Sequence, residues 1–155
     1  MNLTNMYQRP GFLLRRTHQI SAAVFENACA GVGLTQAQYG AMTVLASEPG
    51  IDQSRLARAL AFDKVTVLRV LRGLEERGLI ARKVSASSRR QMAVQLTAAG
   101  KRLLKKAEAP VHAAYEQLMA PLNDAQRKQL IGLLQTLTDS LGEQARATFV
   151  PLQHG

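Results

Sequence analysis

The stretch that decides the fold runs from residue 51 to residue 100 and is IDQSRLARALAFDKVTVLRVLRGLEERGLIARKVSASSRRQMAVQLTAAG. Its first half predicts two short amphipathic helices with a break between them. Asp52 and Asp63 each stand just before a helical pattern, where a carboxylate can accept a hydrogen bond from an orphan backbone N–H. Gly78 stands where the second helix should end, because glycine tolerates the left-handed conformation of a C-terminal cap. The pattern is typical of a helix-turn-helix, with residues 63–77 as the candidate recognition helix.

Positive charge is concentrated in the same part of the chain. Between residues 53 and 106 there are fourteen basic and three acidic residues, a net charge of +11. Because the whole chain carries +9, the two flanks together carry −2. A basic centre between slightly acidic ends is typical of a polyanion-binding element. The pI near 10.5 favours nucleic acid as the partner over an anionic membrane surface.

Composition limits the class of protein. A chain of 155 residues with 46% hydrophobic residues is long and apolar enough for one domain with its own core. The single cysteine, Cys29, excludes an internal disulfide framework, and His18, His112 and His154 are too scattered to indicate a metal site. No apolar run of membrane length and no secretion signal is present, so we expect a cytoplasmic protein without a metal or cofactor. No nucleophile–base set, phosphate loop or acid pair indicates an enzyme.

Helical periodicity continues on both sides of the basic centre. It predicts one helix from residue 10 to about residue 30, a second that a Thr35–Gln38 capping box opens, a third that begins at Ala98, and a last helix that residues 121–124 cap. The first and last helices are more apolar than their own domain requires. They either cap that domain or interlock with a second copy, and symmetric dimers dominate among helix-turn-helix proteins that contact two half-sites. We therefore expect a homodimer.

The residues after the recognition helix change period. Ile80, Arg82 and Val84 alternate, as do the residues from Met92 to Leu96, and a short polar, basic segment separates the two runs. This pattern predicts a β-hairpin wing attached to the recognition helix.

Taken in order, these elements resemble the MarR family of transcriptional regulators over nearly the full chain. The resemblance rests on residues 34–39 (LTQAQY), Leu56-Ala57, residues 63–67 (DKVTV), residues 74–82 (LEERGLIAR), Arg89-Arg90 and residues 96–100 (LTAAG). It implies a mainly α fold with a small β-hairpin wing, in a single domain of residues 1–155. The winged helix-turn-helix would occupy residues 34–100, between dimerisation helices in residues 1–33 and 101–150. It also implies a dimeric repressor that responds to small aromatic ligands.

A narrower resemblance is to the regulators of aromatic-acid breakdown. Residues 10–20 (PGFLLRRTHQI), 38–39 and 51–53 carry it. That subgroup responds to benzoate-, nicotinate- or hydroxycinnamate-type compounds or to their CoA thioesters. The resemblance implies release from a palindromic operator by a small aromatic acid or its CoA thioester.

Two positions depart from the pattern of the family. The family usually has one aspartate late in the recognition helix and another just before the wing arginines, whereas this chain has Arg72 and Ser88 there. The two replacements add positive charge to the side that faces DNA. They also remove a carboxylate brace for the wing arginine, so the sequence predicts a wing without that support.

Periodicity divides the recognition helix into two faces. We expect the buried face to carry Val65, Leu68, Leu71 and Leu74, and a second face to carry Thr66, Arg69 and Gly73. In a major groove, Arg69 can contact guanine, Thr66 a thymine methyl or a phosphate, and Lys64 a phosphate or guanine. The full set of candidate DNA contacts is Gln53, Ser54, Arg55, Lys64, Thr66, Arg69, Arg72, Arg89 and Arg90. The alternative for each is a solvated surface side chain.

The resemblance also implies a ligand pocket between the dimerising helices and the winged domain. Its candidate residues are Phe12, Arg15, Arg16, His18, Tyr39, Met42 and Tyr115. An arginine beside aromatic rings suits an aryl carboxylate, because the guanidinium pairs with the acid and the rings hold the flat body. For His18, the alternative is a partly buried polar side chain with a structural hydrogen bond.

Two other functions use the same residues. A lone thiol such as Cys29 can act as a redox sensor if it is exposed and acidic, although a packed helical cysteine is the more ordinary interpretation. An architectural DNA-binding protein would use the basic surface without contacting bases selectively or binding an effector.

Overall fold

The computed structural model describes residues 2–85 and 89–153 of the chain. Its helices are α1 (Leu3–Tyr7), α2 (Pro10–Ala28), α3 (Gln36–Ser47), α4 (Gln53–Ala59), α5 (Lys64–Glu76), α6 (Ala98–Met119) and α7 (Asp124–Leu141), and a 3-10 turn follows at Gly142–Gln144. Its strands are β1 (Ile51–Asp52), β2 (Ile80–Val84) and β3 (Met92–Leu96). The mainly α fold with a β-hairpin wing is therefore confirmed. Helix α1 and strand β1 were not predicted, because elements of five and two residues are too short to show a period.

Side-chain caps set where the helices of the DNA-binding region begin. Asp52 accepts a hydrogen bond from the Arg55 N–H at 2.9 Å, and Asp63 accepts one from the Thr66 N–H at 2.7 Å. The backbone bond from Thr66 is the main reason that the pKa of Asp63 lies below its ordinary value. The predicted capping box is present before α3. Gly78, with φ of +69°, ends the recognition helix as the sequence predicted.

The three strands form one antiparallel sheet in the order β1-β3-β2. Ile51 pairs with Val94, and Ile80 pairs with Leu96, so the short strand before α4 and the wing share one sheet. The main core lies between this sheet and the helices α3 to α6. Its fully buried side chains include Met42, Leu45, Leu56, Leu71, Leu74 and Val94.

The predicted buried stripe of the recognition helix was wrong in two of its four residues. Val65 is 75% exposed and Leu68 is 46% exposed, whereas Val67 and Val70 are buried together with Leu71 and Leu74. Residues spaced by three throughout drift about 60° around the helix at each step, so 65 and 74 lie on opposite sides. The spacing 67, 70, 71 and 74 keeps to one face and therefore supplies the core.

The long helix α6 is joined tightly to the end of the recognition helix. The Thr97 hydroxyl donates to the Gly78 carbonyl at 2.6 Å, and the Thr97 N–H donates to the Leu79 carbonyl at 3.0 Å. Gly100 must lack a side chain because a Cβ there would overlap the Leu79 carbonyl oxygen. Any movement of α6 is thus transmitted to the base of the wing.

The terminal helices lie outside the main core. Phe25 of α2 and Cys29, which caps the C-terminus of that helix, pack against Ala114 of α6 in a second, smaller cluster. Among the described residues α7 has no buried side chain, and Leu133, Leu137 and Leu141 are exposed on it. The chain then returns to the DNA-binding region, where the Val150 N–H donates to the Arg58 carbonyl of α4 at 2.9 Å. Within the described ranges, no helix combines the length and hydropathy needed to cross a lipid bilayer.

Candidate nucleic-acid interface

One face of α5 is exposed and mixes apolar with cationic side chains. Val65, Leu68, Arg69 and Arg72, which we call the reading face, have the spacing of residues on one side of a helix and are all exposed. Lys64 is exposed at the N-terminal end of the helix. A helix of this kind in a major groove can offer guanidinium groups to guanine and apolar side chains to thymine methyl groups. The sequence predicted the cationic members, but assigned the two apolar members to the core.

Two of the residues that the sequence placed on a polar face are turned partly inward. Thr66 is half-buried. Gly73 faces α3, where a Cβ would lie 3.2 Å from the Gln38 amide nitrogen. For Thr66 a DNA contact stays a prediction, while Gly73 lets α5 approach α3 closely.

Arg77 holds α5 at the loop between α2 and α3. Its Nη1 donates to the Gly33 carbonyl at 2.7 Å, and its Nη2 donates to the Val32 carbonyl at 3.1 Å. Gly33 has a φ of +64°, which L side chains rarely adopt. This arginine therefore positions the recognition helix and is not available as a DNA contact. From the sequence, Arg77 contributed only to the positive charge. Its role in holding the helix was not visible, because its partners Val32 and Gly33 lie more than forty residues earlier in the chain.

The N-terminus of α4 adds polar and cationic groups beside α5. Ser54 and Arg55 are exposed, and Arg55 forms an ion pair with Glu48 at 3.0 Å. Gln53 is half-buried, and its Oε1 accepts a hydrogen bond from Arg82 at 3.4 Å. Phosphate contacts from the exposed pair stay a prediction, and Gln53 lies at the base of the wing.

A bidentate ion pair supports the wing. Arg82 of β2 donates to both carboxylate oxygens of Glu75, at 3.0 Å from Nε and 2.9 Å from Nη2. The hydrogen bond from Arg82 holds the pKa of Glu75 below its ordinary value, and the bond to Glu75 raises the pKa of Arg82. The pair was not predicted from the sequence. Glu75 and Arg82 are seven residues apart and lie on a helix and a strand, so no single period relates them. The wing therefore has a carboxylate brace at its base.

The tip of the wing carries the remaining candidate contacts. Arg89 and Arg90 are exposed in a turn before β3. Ser88, where the family usually has an aspartate, lies outside the described residues. Insertion of either arginine into a minor groove stays a prediction.

A cleft of about 720 Å³ separates α2 from the helix-turn-helix. Its polar lining comes from His18 and Glu26 of α2, from Thr35, Gln36 and Gln38 at the start of α3, and from Arg69 of α5. Leu60, Phe62 and Val70 supply apolar walls. The volume lies within the range of small-molecule sites. The N-terminus of α3 adds partial positive charge, so the part of the cleft between α3 and Arg69 favours an anion.

Of the seven residues predicted for the ligand pocket, the single chain brings His18 to this cleft and places the other six elsewhere. The Phe12 ring meets the Tyr7 ring edge to face with 5.3 Å between centroids, and the Arg15 guanidinium lies 5.4 Å over the Phe12 ring. Arg16 donates a hydrogen bond to Gln19 at 3.4 Å. Tyr39 lies 5.9 Å from the Phe25 ring, Met42 is fully buried in the core, and Tyr115 is exposed on α6. Ligand contacts by these six stay predictions. The sequence did not indicate Arg69, Gln36 or Gln38 as lining residues, because they come from different helices.

Cys29 lies in an environment that disfavours a redox sensor. Its side chain is 0% exposed and packs in the cluster between α2 and α6. Burial raises the pKa of the thiol, so little of the reactive thiolate is present at neutral pH.

Comparison with known proteins gives a consistent assignment. A sequence profile described as the MarR family matches residues 32–91. A protein of Thauera aromatica, described as a transcriptional regulatory protein for the hcr operon, is 37% identical over 128 residues, which cover 82% of this chain and 77% of that protein.

Solved structures of two further relatives contain the same fold. The transcriptional repressor CouR bound to a 23-mer DNA duplex has a TM-score of 0.81 and 28% identity, covering 89% of this chain and 98% of CouR. CouR of Rhodococcus jostii RHA1 bound to p-coumaroyl-CoA has a TM-score of 0.70 and 26% identity, and the match covers 84% of this chain and 91% of that one. BpsR of Bordetella bronchiseptica, whose DNA binding is regulated by 6-hydroxynicotinic acid, has a TM-score of 0.80 and 28% identity, covering 86% and 95%.

Proposed function

This chain belongs to the MarR family of transcriptional regulators, and we propose that it is a cytoplasmic homodimeric repressor of a palindromic operator. Its role is regulatory and not enzymatic. The effector that releases it from DNA is a small aromatic acid or the CoA thioester of such an acid. The observation that carries the proposal is the exposed reading face of α5, flanked by a braced and basic wing.

The DNA contacts follow from this surface. Arg69 and Arg72 pair with guanine or phosphate from the major groove, and Lys64, Ser54 and Arg55 contact the backbone. The wing arginines Arg89 and Arg90 enter the adjacent minor groove, where narrow A·T-rich segments attract arginine. Phosphate contacts alone would give no preference for sequence, so selectivity depends on the reading face.

Dimerisation gives the operator its symmetry. The apolar side chains that α2 and α7 leave exposed, among them Leu13, Leu14, Ile20, Leu133 and Leu137, would be covered by a second copy. A two-fold axis then presents two recognition helices to half-sites about 34–36 Å apart.

The effector site is the cleft beside α2. A bound acid changes DNA affinity only if it binds one arrangement of the dimer better than another. The cleft lies between a proposed dimerisation helix and the recognition helix, so a ligand there contacts both. CouR and BpsR support an aromatic effector, since they bind p-coumaroyl-CoA and respond to 6-hydroxynicotinic acid.

Fluorescence anisotropy tests this function at a stated salt concentration. A palindromic duplex selected from a random pool is compared with an unrelated duplex, with and without benzoate, nicotinate, 4-hydroxycinnamate and their CoA thioesters. We expect a preference of at least about 10³ for the palindrome and its loss with one of these compounds. Equal affinity for both duplexes would instead identify an architectural DNA-binding protein.

A further inference from the structure

Arg69 belongs to two surfaces at once. It is exposed on the reading face of α5, and it also lines the cleft beside α2 together with His18, Gln36 and Gln38. Arg72 lies on the same face one turn later, but it does not line the cleft. The two arginines therefore share one helix face and differ in whether they line the cleft, which makes Arg72 the matched control.

The surroundings of Arg69 leave its guanidinium able to take a new partner. Among residues 2–85 and 89–153, no hydrogen bond within 3.5 Å or ion pair within 4.0 Å holds this group, although Asp63 at the start of α5 attracts it electrostatically. Arg77 and Arg82, by contrast, are each held by two or more such bonds. An arginine without fixed partners can turn toward the groove or toward the cleft at the cost of a side-chain rotation.

The charges of the cleft favour a carboxylate beside Arg69. Arg69 supplies the permanently cationic side chain of the lining, and the N-terminus of α3 adds partial positive charge next to it. Glu26 of α2 lines the opposite side of the cleft, and its negative charge repels an anion from that side. Phe62 and Leu60 offer apolar surface for a flat ring between these groups.

We propose that Arg69 is shared between DNA and the effector, pairing with a guanine or phosphate in one state and with the effector's carboxylate in the other. This inference rests on the proposed effector function. A bidentate carboxylate occupies the guanidinium fork, which then cannot contact DNA. Binding of the acid thus removes one DNA contact from each protomer directly, in addition to any change in the dimer. The loss is about tenfold or more in operator affinity for each half-site.

A thioester effector makes a sharp contrast. Its aromatic part has no free carboxylate, so the ring end of such a ligand cannot form the bidentate pair with Arg69 that the free acid forms. The shared-arginine mechanism therefore assigns the free aromatic acid as the ligand class of this cleft.

Titration calorimetry on the full chain without DNA tests the assignment. The probes are benzoate, nicotinate and 4-hydroxycinnamate, each with its primary amide as the neutral analogue. The proteins are the wild type, Arg69→Gln and the matched control Arg72→Gln. Arg69→Lys serves as a second variant that keeps the charge, and thermal melting checks that every variant is folded.

The expected result is that Arg69→Gln weakens binding of the acid by about tenfold, while Arg72→Gln changes it by less than about twofold. Arg69→Lys should fall between the wild type and Arg69→Gln. In separate anisotropy measurements with the operator duplex, both glutamine variants should bind DNA more weakly than the wild type. The amides should bind the wild type and Arg69→Gln alike.

A loss of acid affinity smaller than about fivefold in folded Arg69→Gln would overturn the shared-arginine assignment, while the proposed repressor could still respond to the acid. An equal loss in both glutamine variants would overturn it too, since it would report net charge and not a contact. If none of the three acids binds the wild type, the proposed free-acid effector itself fails. The outcomes therefore separate the inference from the function on which it rests.

Discussion

Leu68 is an apolar side chain that the fold leaves in the open on the recognition helix. It is 46% exposed, and Val65 one turn earlier is 75% exposed, although neighbouring Val67 and Val70 are buried. Within the described protein neither packs into the core cluster. On a surface otherwise rich in cations, apolar groups in this position are suited to contact the methyl group that distinguishes thymine in the major groove.

We therefore expect thymine methyl groups in the operator to increase binding affinity by contacting Leu68. Replacing the contacted dT by dU removes one methyl group and should weaken wild-type binding by about fourfold per half-site. The same replacement should have no effect on Leu68→Ala, because the partner of the methyl group is already gone. Anisotropy measurements on the four combinations give the coupling between the two changes.

Glu76→Ala is the control for that cycle. Glu76 is exposed on the same side of α5 but lies about two turns beyond Leu68, at the C-terminal end of the helix. Its removal changes total affinity but should leave the dT-to-dU ratio as in the wild type. If replacing dT by dU leaves the affinity of the wild type unchanged at every thymine of the operator, the methyl contact is contradicted.

The wing is held against the recognition helix by core packing and by one ion pair. Its strands β2 and β3 pair with each other and β3 also pairs with β1, while Ile80 and Val94 share the core with Leu71 and Leu74 of α5. The Glu75–Arg82 pair adds an exposed polar link from α5 to β2, and Gln53 adds a longer bond from α4 to the same guanidinium. Without the carboxylate, the hairpin keeps its strand pairing and its core packing, but Arg82 is no longer tied to α5.

Glu75→Gln should loosen the wing at neutral pH and lower operator affinity, as measured by anisotropy, while far-UV circular dichroism stays unchanged. Because the pKa of Glu75 is lower in the folded state, its contribution to stability is present above the unfolded-state pKa. That contribution is lost as the pH falls through the folded-state pKa. The difference in melting temperature between the variant and the wild type should thus be seen at neutral pH and vanish in acid.

Glu76→Gln is the matched change at the next position of the same helix. It removes the same charge without removing a partner of Arg82. The difference in melting temperature between Glu76→Gln and the wild type should therefore be smaller, and it should not disappear in acid. A pH-independent difference for Glu75→Gln would argue against the ion pair as the brace.

At the scale of the whole molecule, no apolar residue of α7 is buried within the described chain. Leu130, Leu133, Leu137 and Leu141 are exposed on this helix. Two recognition helices held at a fixed spacing would require such a face to be covered, and a second copy of α2 and α7 supplies matching apolar surface.

Leu137→Glu should convert the proposed dimer into a monomer, because the new carboxylate would be desolvated in the interface. Analytical ultracentrifugation measures the assembly, and anisotropy should show a large loss of affinity for the palindrome with little loss for a single half-site. Gln135→Glu adds the same charge on the opposite side of α7 and should remain dimeric. If Leu137→Glu sediments as the wild type does, α7 is not the interface.

The sequence by itself determined most of the helices, the wing and the family. Caps at Asp52, Asp63 and Thr35, the glycine at 78 and the switch from helical to alternating period are local signals, and each depends on residues a few positions apart. The concentration of charge in the middle of the chain indicated nucleic acid without any structure.

Only the tertiary structure decided which face of the recognition helix is buried and which side chains meet across the chain. The Arg77 contacts with residues 32–33, the Glu75–Arg82 brace and the cleft that joins His18 to Arg69 each link separate elements. Such contacts follow from how helices pack, and neither propensity nor period encodes that packing. Leu68 illustrates the reason: its apolar type and its spacing of three from Leu71 predicted burial, but the face of α5 that packs is that of residues 67, 70, 71 and 74, which leaves Leu68 at the surface.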